Sequence, residues 1–217
     1  MMKNMEWGAV AYLSHSKYGI NKEITTNNCS SFITGIGADA VSERASSTTC
    51  ITDKNKYNGT NGVNASTTGN VYGIYDMSGG SWEYLSSDIV YSNGQMMSGN
   101  RVNENWNSAF TGYLGDDKTS FTGTYTFPNK RYYDKYSYGT NRSEFTRGKL
   151  GDATKEMTPT SSNTTWHENY AYFFVELYPW ATRGSSNLND KGGIFSFSST
   201  FGHAVDDSTR AVISNLN

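Results

Sequence analysis

Apolar residues recur with a helical period only near the start of the chain. Trp7, Val10, Ala11 and Ser14 share one face, Asn4 is placed to cap it and Gly19 to end it, which predicts a helix over residues 5–18. From residue 21 to residue 69 the pattern turns polar, and Asn58-Gly59 and Asn61-Gly62 are turn signals that suit a surface connection. Val71 to Tyr75 then leads into Asp76-Met77-Ser78-Gly79-Gly80-Ser81, a turn, followed by a strand in which Trp82 and Tyr84 alternate with Glu83 and Leu85. Residues 87–165 hold no sustained period and predict long excursions with short strand or helix pieces. Near the C-terminus, Tyr170 to Tyr178 is an aromatic block, and the alternation Ile194-Phe195-Ser196-Phe197-Ser198 predicts a strand.

Composition explains why so little of this is helical. The chain has 217 residues, 35% of them hydrophobic, while 27 Ser, 24 Thr and 22 Asn make up about a third. Those side chains compete for backbone hydrogen bonds and favour caps, turns and loops. Large rings compensate: 10 Phe, 16 Tyr and 5 Trp can sustain a core that is poor in aliphatics. The expectation is one loop-rich α+β domain over residues 1–217.

A net charge of -2 lacks the basic excess that phosphate neutralisation requires, which excludes nucleic acid as a whole-chain partner. Lys130-Arg131-Tyr132-Tyr133-Asp134-Lys135-Tyr136 interleaves bases and rings, but Asp134 interrupts it and a solvated loop is the better reading. No apolar run reaches membrane-spanning length, and Met1 to Glu6 lacks the apolar stretch of a signal peptide, so any targeting segment lies outside this chain. Cys29 and Cys50 have no zinc-ligand spacing. If the protein is exported they close a loop worth roughly 3 kcal/mol; otherwise they are two unpaired thiols.

Local catalytic signatures are missing. Gly35 to Ala40 spells G-x-G-x-x-A, but no strand precedes it and no long amphipathic helix follows, so the match is a coincidence. His15 falls on the predicted helix and His167 sits in a loop beside Trp166 and Glu168. With His203 they are far apart in sequence, and neither a Ser/His/Asp site nor a metal-dependent enzyme with clustered His and carboxylate ligands is indicated.

The stretch Tyr72-Gly73-Ile74-Tyr75-Asp76-Met77-Ser78-Gly79-Gly80-Ser81-Trp82-Glu83-Tyr84 resembles the glycine turn and W-E-W/Y signature of the formylglycine-generating-enzyme (sulfatase-modifying factor) superfamily. Met5-Glu6-Trp7-Gly8-Ala9-Val10-Ala11 is similar to its E-W-E-Y-A-A helix and Arg183-Gly184-Ser185 to its R-G-G-S. Ser208-Thr209-Arg210-Ala211-Val212 is similar to its closing F-R strand. The resemblance implies a variant of the C-type lectin fold with small antiparallel sheets. It also implies that Met1 begins a trimmed or shortened domain, since the family's segment before the E-W helix has no counterpart here. In such a scaffold Gly79 and Gly80 allow positive φ, Trp82 is a core anchor, and Arg183 and Arg210 clamp loops.

Enzymes of the superfamily use a copper-bound cysteine pair beyond R-G-G-S. Residues 185–210 contain no cysteine, so that oxidase chemistry has no ligands and the chain is expected not to be an enzyme. The nearer resemblance is to variable proteins of diversity-generating retroelements, bacterial and phage systems that rewrite the end of a lectin-fold domain. It implies a cell-surface or extracellular display domain that binds a protein or glycan through a variable segment, residues 186–208 here. The implied contact residues are Ser186, Asn187, Leu188, Asn189, Asp190, Phe195, Phe197, Ser199, Thr200, Phe201, His203, Asp206 and Asp207. A core role for Phe195 and Phe197, on alternate strand positions, remains equally open. No cofactor is implied beyond a structural calcium at Glu83. The alternatives are an adhesin or pilin-like subunit without diversification, or a metal-dependent enzyme of the same superfamily.

Overall fold

The computed structural model describes residues 1–29, 33–37, 50–90, 95–96, 102–103, 107–114, 119–126, 130–137, 139–156, 166–175, 178, 180–185, 192–200 and 207–212. Among the described residues the architecture is mixed α+β, with one α-helix, α1 (Asn4–Ser14), and ten short strands. No described helix is long and apolar enough to cross a membrane.

The helix is shorter than the sequence pattern predicts. Lys3, not Asn4, precedes its first turn, and the Glu6 carboxylate accepts the Lys3 amide at 2.8 Å. Asn4 instead turns its side chain into the core, where Asn4, Trp7, Gly8, Ala11 and Ser14 form the buried stripe. After Ser14 the chain folds back, and Gly19 lies so close that a Cβ there would meet the Leu13 carbonyl at 2.4 Å.

A four-stranded sheet lies at the centre, in the order β10 (Asp207–Thr209), β1 (Trp82–Tyr84), β8 (Trp180–Arg183), β9 (Phe197–Thr200). It is mixed and not antiparallel as expected: β10 runs parallel to β1, whereas β8 is antiparallel to both β1 and β9. A second sheet orders β4 (Val102–Asn103), β3 (Gln95–Met96), β2 (Ser87–Val90) and β7 (Asp134–Ser137), with β2 and β7 parallel. A separate hairpin pairs β5 (Asn107–Leu114) with β6 (Thr119–Thr126) across eight register positions.

The core is largely aromatic. Phe173, Phe174, Phe195 and Phe197 are buried with Trp7, Met77 and Ile194. Phe197 stacks on Phe173 at 5.7 Å and meets Phe174 edge-on at 5.4 Å. Trp7 donates its indole N–H to the Ile194 carbonyl at 2.8 Å, joining α1 to the turn before β9. Through this core runs a polar seam centred on Arg183, which is wholly buried. Its guanidinium donates to Asn4 Oδ1 (2.8 Å) and to the carbonyls of Asp152 (2.7 Å), Ala153 (3.0 Å) and Phe195 (3.3 Å), and it lies 4.7 Å over the Phe197 ring. Burial pushes the guanidinium down to about 10 while the Asp152 charge opposes it, so Arg183 is cationic at neutral pH.

The described residues between 21 and 69 hold no regular strand and are anchored inside as well as outside. Asn27, Asn28, Asn55 and Ser66 are buried, and Cys29 and Cys50 form a disulfide packed with Ile36. The bridge spans a sequence separation of 21, so replacing both cysteines by serine should cost about 3 kcal/mol by the loop-entropy estimate. Comparison of urea midpoints for the parent and the double variant measures it.

The glycine turn takes the predicted backbone: Gly79 and Gly80 have φ of 76° and 73°. Gly79 donates to the Gly184 carbonyl at 2.6 Å, and Gly80 to Asn27 at 2.6 Å. A Cβ on Gly79 would meet the Asn27 carbonyl at 2.3 Å. Gly79→Ala therefore combines a left-handed backbone with a backbone clash. It should lower stability by more than about 1 kcal/mol, read as a drop in melting temperature.

Candidate ligand-binding face

Pairing register decides what the central sheet shows to solvent. Arg183 lies opposite Glu83 and Phe197, and Ala181 opposite Ser199. Glu83, Ala181, Arg183, Phe197 and Ser199 are all buried, which makes theirs the inner face. On the other face Trp82, Tyr84, Trp180, Ser198 and Thr200 are half-buried around a buried Thr182. Asp207 at the β10 edge is half-buried, and Ser208 and Thr209 are exposed.

Several contacts knit this outer face together. Trp82 meets Tyr170 edge-on at 5.7 Å, and Tyr170 meets Tyr172 at 4.8 Å. Arg142 lies 3.8 Å over the Tyr172 ring. The Tyr84 hydroxyl bonds to both Asp207 and Thr200; burial, with the Asp207 carboxylate adding to it, holds the phenol well above its usual range. Burial likewise raises the Tyr170 phenol, whose hydroxyl bonds to Ser198 and Tyr172. The result is a surface of large rings and small polar groups with few freely rotating side chains, a composition suited to molecular contact at low entropic cost.

A cleft of about 450 Å³ opens beside β10, lined by Asn27, Asp76, Glu83, Ser208, Thr209 and Arg210 among others. Arg210 grips Glu83 through two donors, one at 2.9 Å, and also donates to the Tyr75 carbonyl at 3.1 Å. Asp76 accepts from the Asn27 side chain at 2.8 Å and from the Gly35 amide at 3.0 Å. Burial pushes both carboxyls above their usual range, even though Arg210 favours ionised Glu83 and the Asn27 and Gly35 donors favour ionised Asp76. The Gly35 amide is thus committed to a carboxylate within the fold.

Several sequence expectations need correction. Phe195 and Phe197 are 1% and 0% exposed and Ser199 is 4%, so these three pack the core and do not contact a ligand. Thr200 and Asp207 do lie on the accessible face. Ser186, Asn187, Leu188, Asn189, Asp190, Phe201, His203 and Asp206 lie outside the described residues. Trp82 is not the core anchor; Trp7 holds that position, fully buried, while Trp82 sits on the outer face. Glu83 is not arranged for calcium, because a guanidinium against both of its oxygens repels a dication. Arg183 and Arg210 clamp backbone and carboxylate as expected. Sequence reasoning missed Trp180, Tyr170, Tyr172 and Ser198 on the outer face. The aromatic block and the strand alternation contained that signal, but not which phase faces out.

Comparison of the chain with protein-family models, with curated proteins and with solved structures finds no match.

Proposed function

We propose that this chain is a non-enzymatic recognition domain that presents the outer face of its central sheet to a protein or glycan target. The observation that carries the reading is the division of labour across that sheet. A buried arginine and a phenylalanine cluster brace one side, while Trp82, Tyr84, Trp180, Ser198 and Thr200 are accessible on the other. Replaceable contacts need such a scaffold, because changes at accessible positions then leave the core untouched.

The finer reading is a C-type lectin fold of the formylglycine-generating-enzyme-like class, used as the variable protein of a diversity-generating retroelement. It is supported by the convergence of segments distant in sequence. Trp7 lies against Gly184, Gly79 bonds to Gly184, Glu83 pairs in register with Arg183, and Arg210 grips Glu83. Ser185, standing where the resemblance has a second glycine, keeps a left-handed φ of 68°. The absence of enzymatic activity is supported by the cleft, where each carboxylate is already engaged by donors of the fold. A cell-surface or extracellular location is supported by the Cys29–Cys50 disulfide.

The DNA flanking the gene provides the test. The expected finding is a reverse transcriptase and a repeat nearly identical to the end of this coding region, differing at adenines. A locus with neither removes diversification and leaves a fixed adhesin or pilin-like subunit.

A further inference from the structure

Two histidines that are 152 positions apart in the chain, His15 and His167, come together in the fold, and a carboxylate joins them. Their rings lie 4.8 Å apart between centroids, and Glu23 Oε2 is 3.1 Å from His15 Nε2. One ligand atom from each of His15, Glu23 and His167 lies within 4.8 Å of the others. We propose that these three residues bind one late first-row divalent metal ion, zinc foremost.

The surroundings fit that role. His15 Nδ1 is 3.2 Å from the Ala11 carbonyl, which ends a helical turn directly above it. A proton on Nδ1 donated there leaves the Nε2 lone pair aimed at the Glu23 side, the usual way a second contact fixes a metal-binding tautomer. Glu23 is oriented in the same manner: its Oε1 accepts the Ile194 amide at 3.0 Å, and Oε2 is left toward the histidines. His167 is held at φ 61°, ψ 21°, a left-handed conformation that histidine visits infrequently. Against both histidines lies Phe195, whose ring is 4.9 Å from His15 and stacked at 5.9 Å on His167. Such an apolar floor keeps water off one side of the site and strengthens charge interactions within it.

Geometry also sets the rearrangement required. Donors about 2.0–2.1 Å from a tetrahedral ion are about 3.3 Å apart, so the widest gap of 4.8 Å must close by about 1.5 Å. His167 is exposed and can supply that movement by side-chain rotation, whereas His15 and Glu23 are half-buried and already within contact. A simple His15–Glu23 ion pair accounts for two of the residues but not for a third imidazole beside them. Two imidazoles with one carboxylate favour zinc and its neighbours over calcium or magnesium, which prefer all-oxygen shells.

Titration calorimetry of the full chain with zinc chloride, any polyhistidine tag removed, tests the proposal. The expected result is one ion per chain with a rise in melting temperature of several degrees. His167→Asn keeps a residue that tolerates the left-handed backbone, and Glu23→Gln keeps the acceptor for the Ile194 amide. Each should weaken zinc binding at least tenfold and abolish the thermal shift while the metal-free melting temperature of His167→Asn stays near that of the parent. No binding by the parent at millimolar zinc, or equal binding by the parent and both variants, overturns it.

Discussion

Replacing Arg183 by methionine should destabilise the protein by about 3–5 kcal/mol, the range found when one member of a buried charge network is removed. Methionine keeps an unbranched apolar stem in place of the arginine's, so part of the packing is retained while the guanidinium, its hydrogen bonds and its contact with the Phe197 ring are lost. Four acceptors lose their donor at once: Asn4 Oδ1 and the carbonyls of Asp152, Ala153 and Phe195. The Asp152 carboxylate, itself fully buried, also loses the cation that compensates its charge, although Tyr136 and Thr154 still donate to it. Against a typical total of about 5–15 kcal/mol this removes a large share of stability. Lysine at the same position should recover part of the loss, because it restores the charge but cannot reproduce the planar fork that reaches three segments. Urea unfolding of the parent, Arg183→Met and Arg183→Lys gives the comparison. A methionine variant as stable as the parent would mean that the seam is not what holds α1, β8 and the 152–153 turn together.

The second large effect is expected at Phe197. Its ring is fully buried against Phe173, Phe174 and the Arg183 guanidinium, so Phe197→Ala opens a cavity and removes ring contacts, for a loss of about 3–5 kcal/mol. Substitutions on β10 should behave in the opposite way. Ser208 and Thr209 are exposed, and alanine at either position should change stability by no more than about 0.5 kcal/mol. The contrast separates the packed core from an exposed edge strand within one C-terminal region. Were Phe197→Ala tolerated as well as Ser208→Ala, the sheet would have no fixed inner side and the proposed display face would have no support.

Much of the scaffold is readable from residue order. The helical spacing of Trp7, Ala11 and Ser14, the paired glycines at 79 and 80 and the clamping arginines all depend on local periodicity or on conformations few residues adopt. The sequence pattern runs the helix to residue 18, whereas it ends at Ser14, beyond which the chain turns back and brings Gly19 against Leu13 and Ser14. The metal-binding trio was invisible for a different reason: its members come from the end of α1, the following loop and the turn at residue 167, and nothing in their spacing records that these segments meet.

Residue order thus establishes an α+β chain with an aromatic core, glycine-dependent turns, and cysteines available for pairing. Alternation along β1 and β9 shows that each strand has two unlike faces, but Trp82 with Tyr84, or Phe197 with Ser199, can lie on either side when rings are this abundant. Folding resolves the ambiguity by placing Arg183 and the Phe173–Phe174 pair on one side of the sheet. A buried guanidinium needs acceptors and a counter-charge, and those exist only where Asn4, Asp152 and Phe195 converge from distant parts of the chain. That convergence turns Phe197 inward and leaves Trp82, Tyr84, Ser198 and Thr200 facing out.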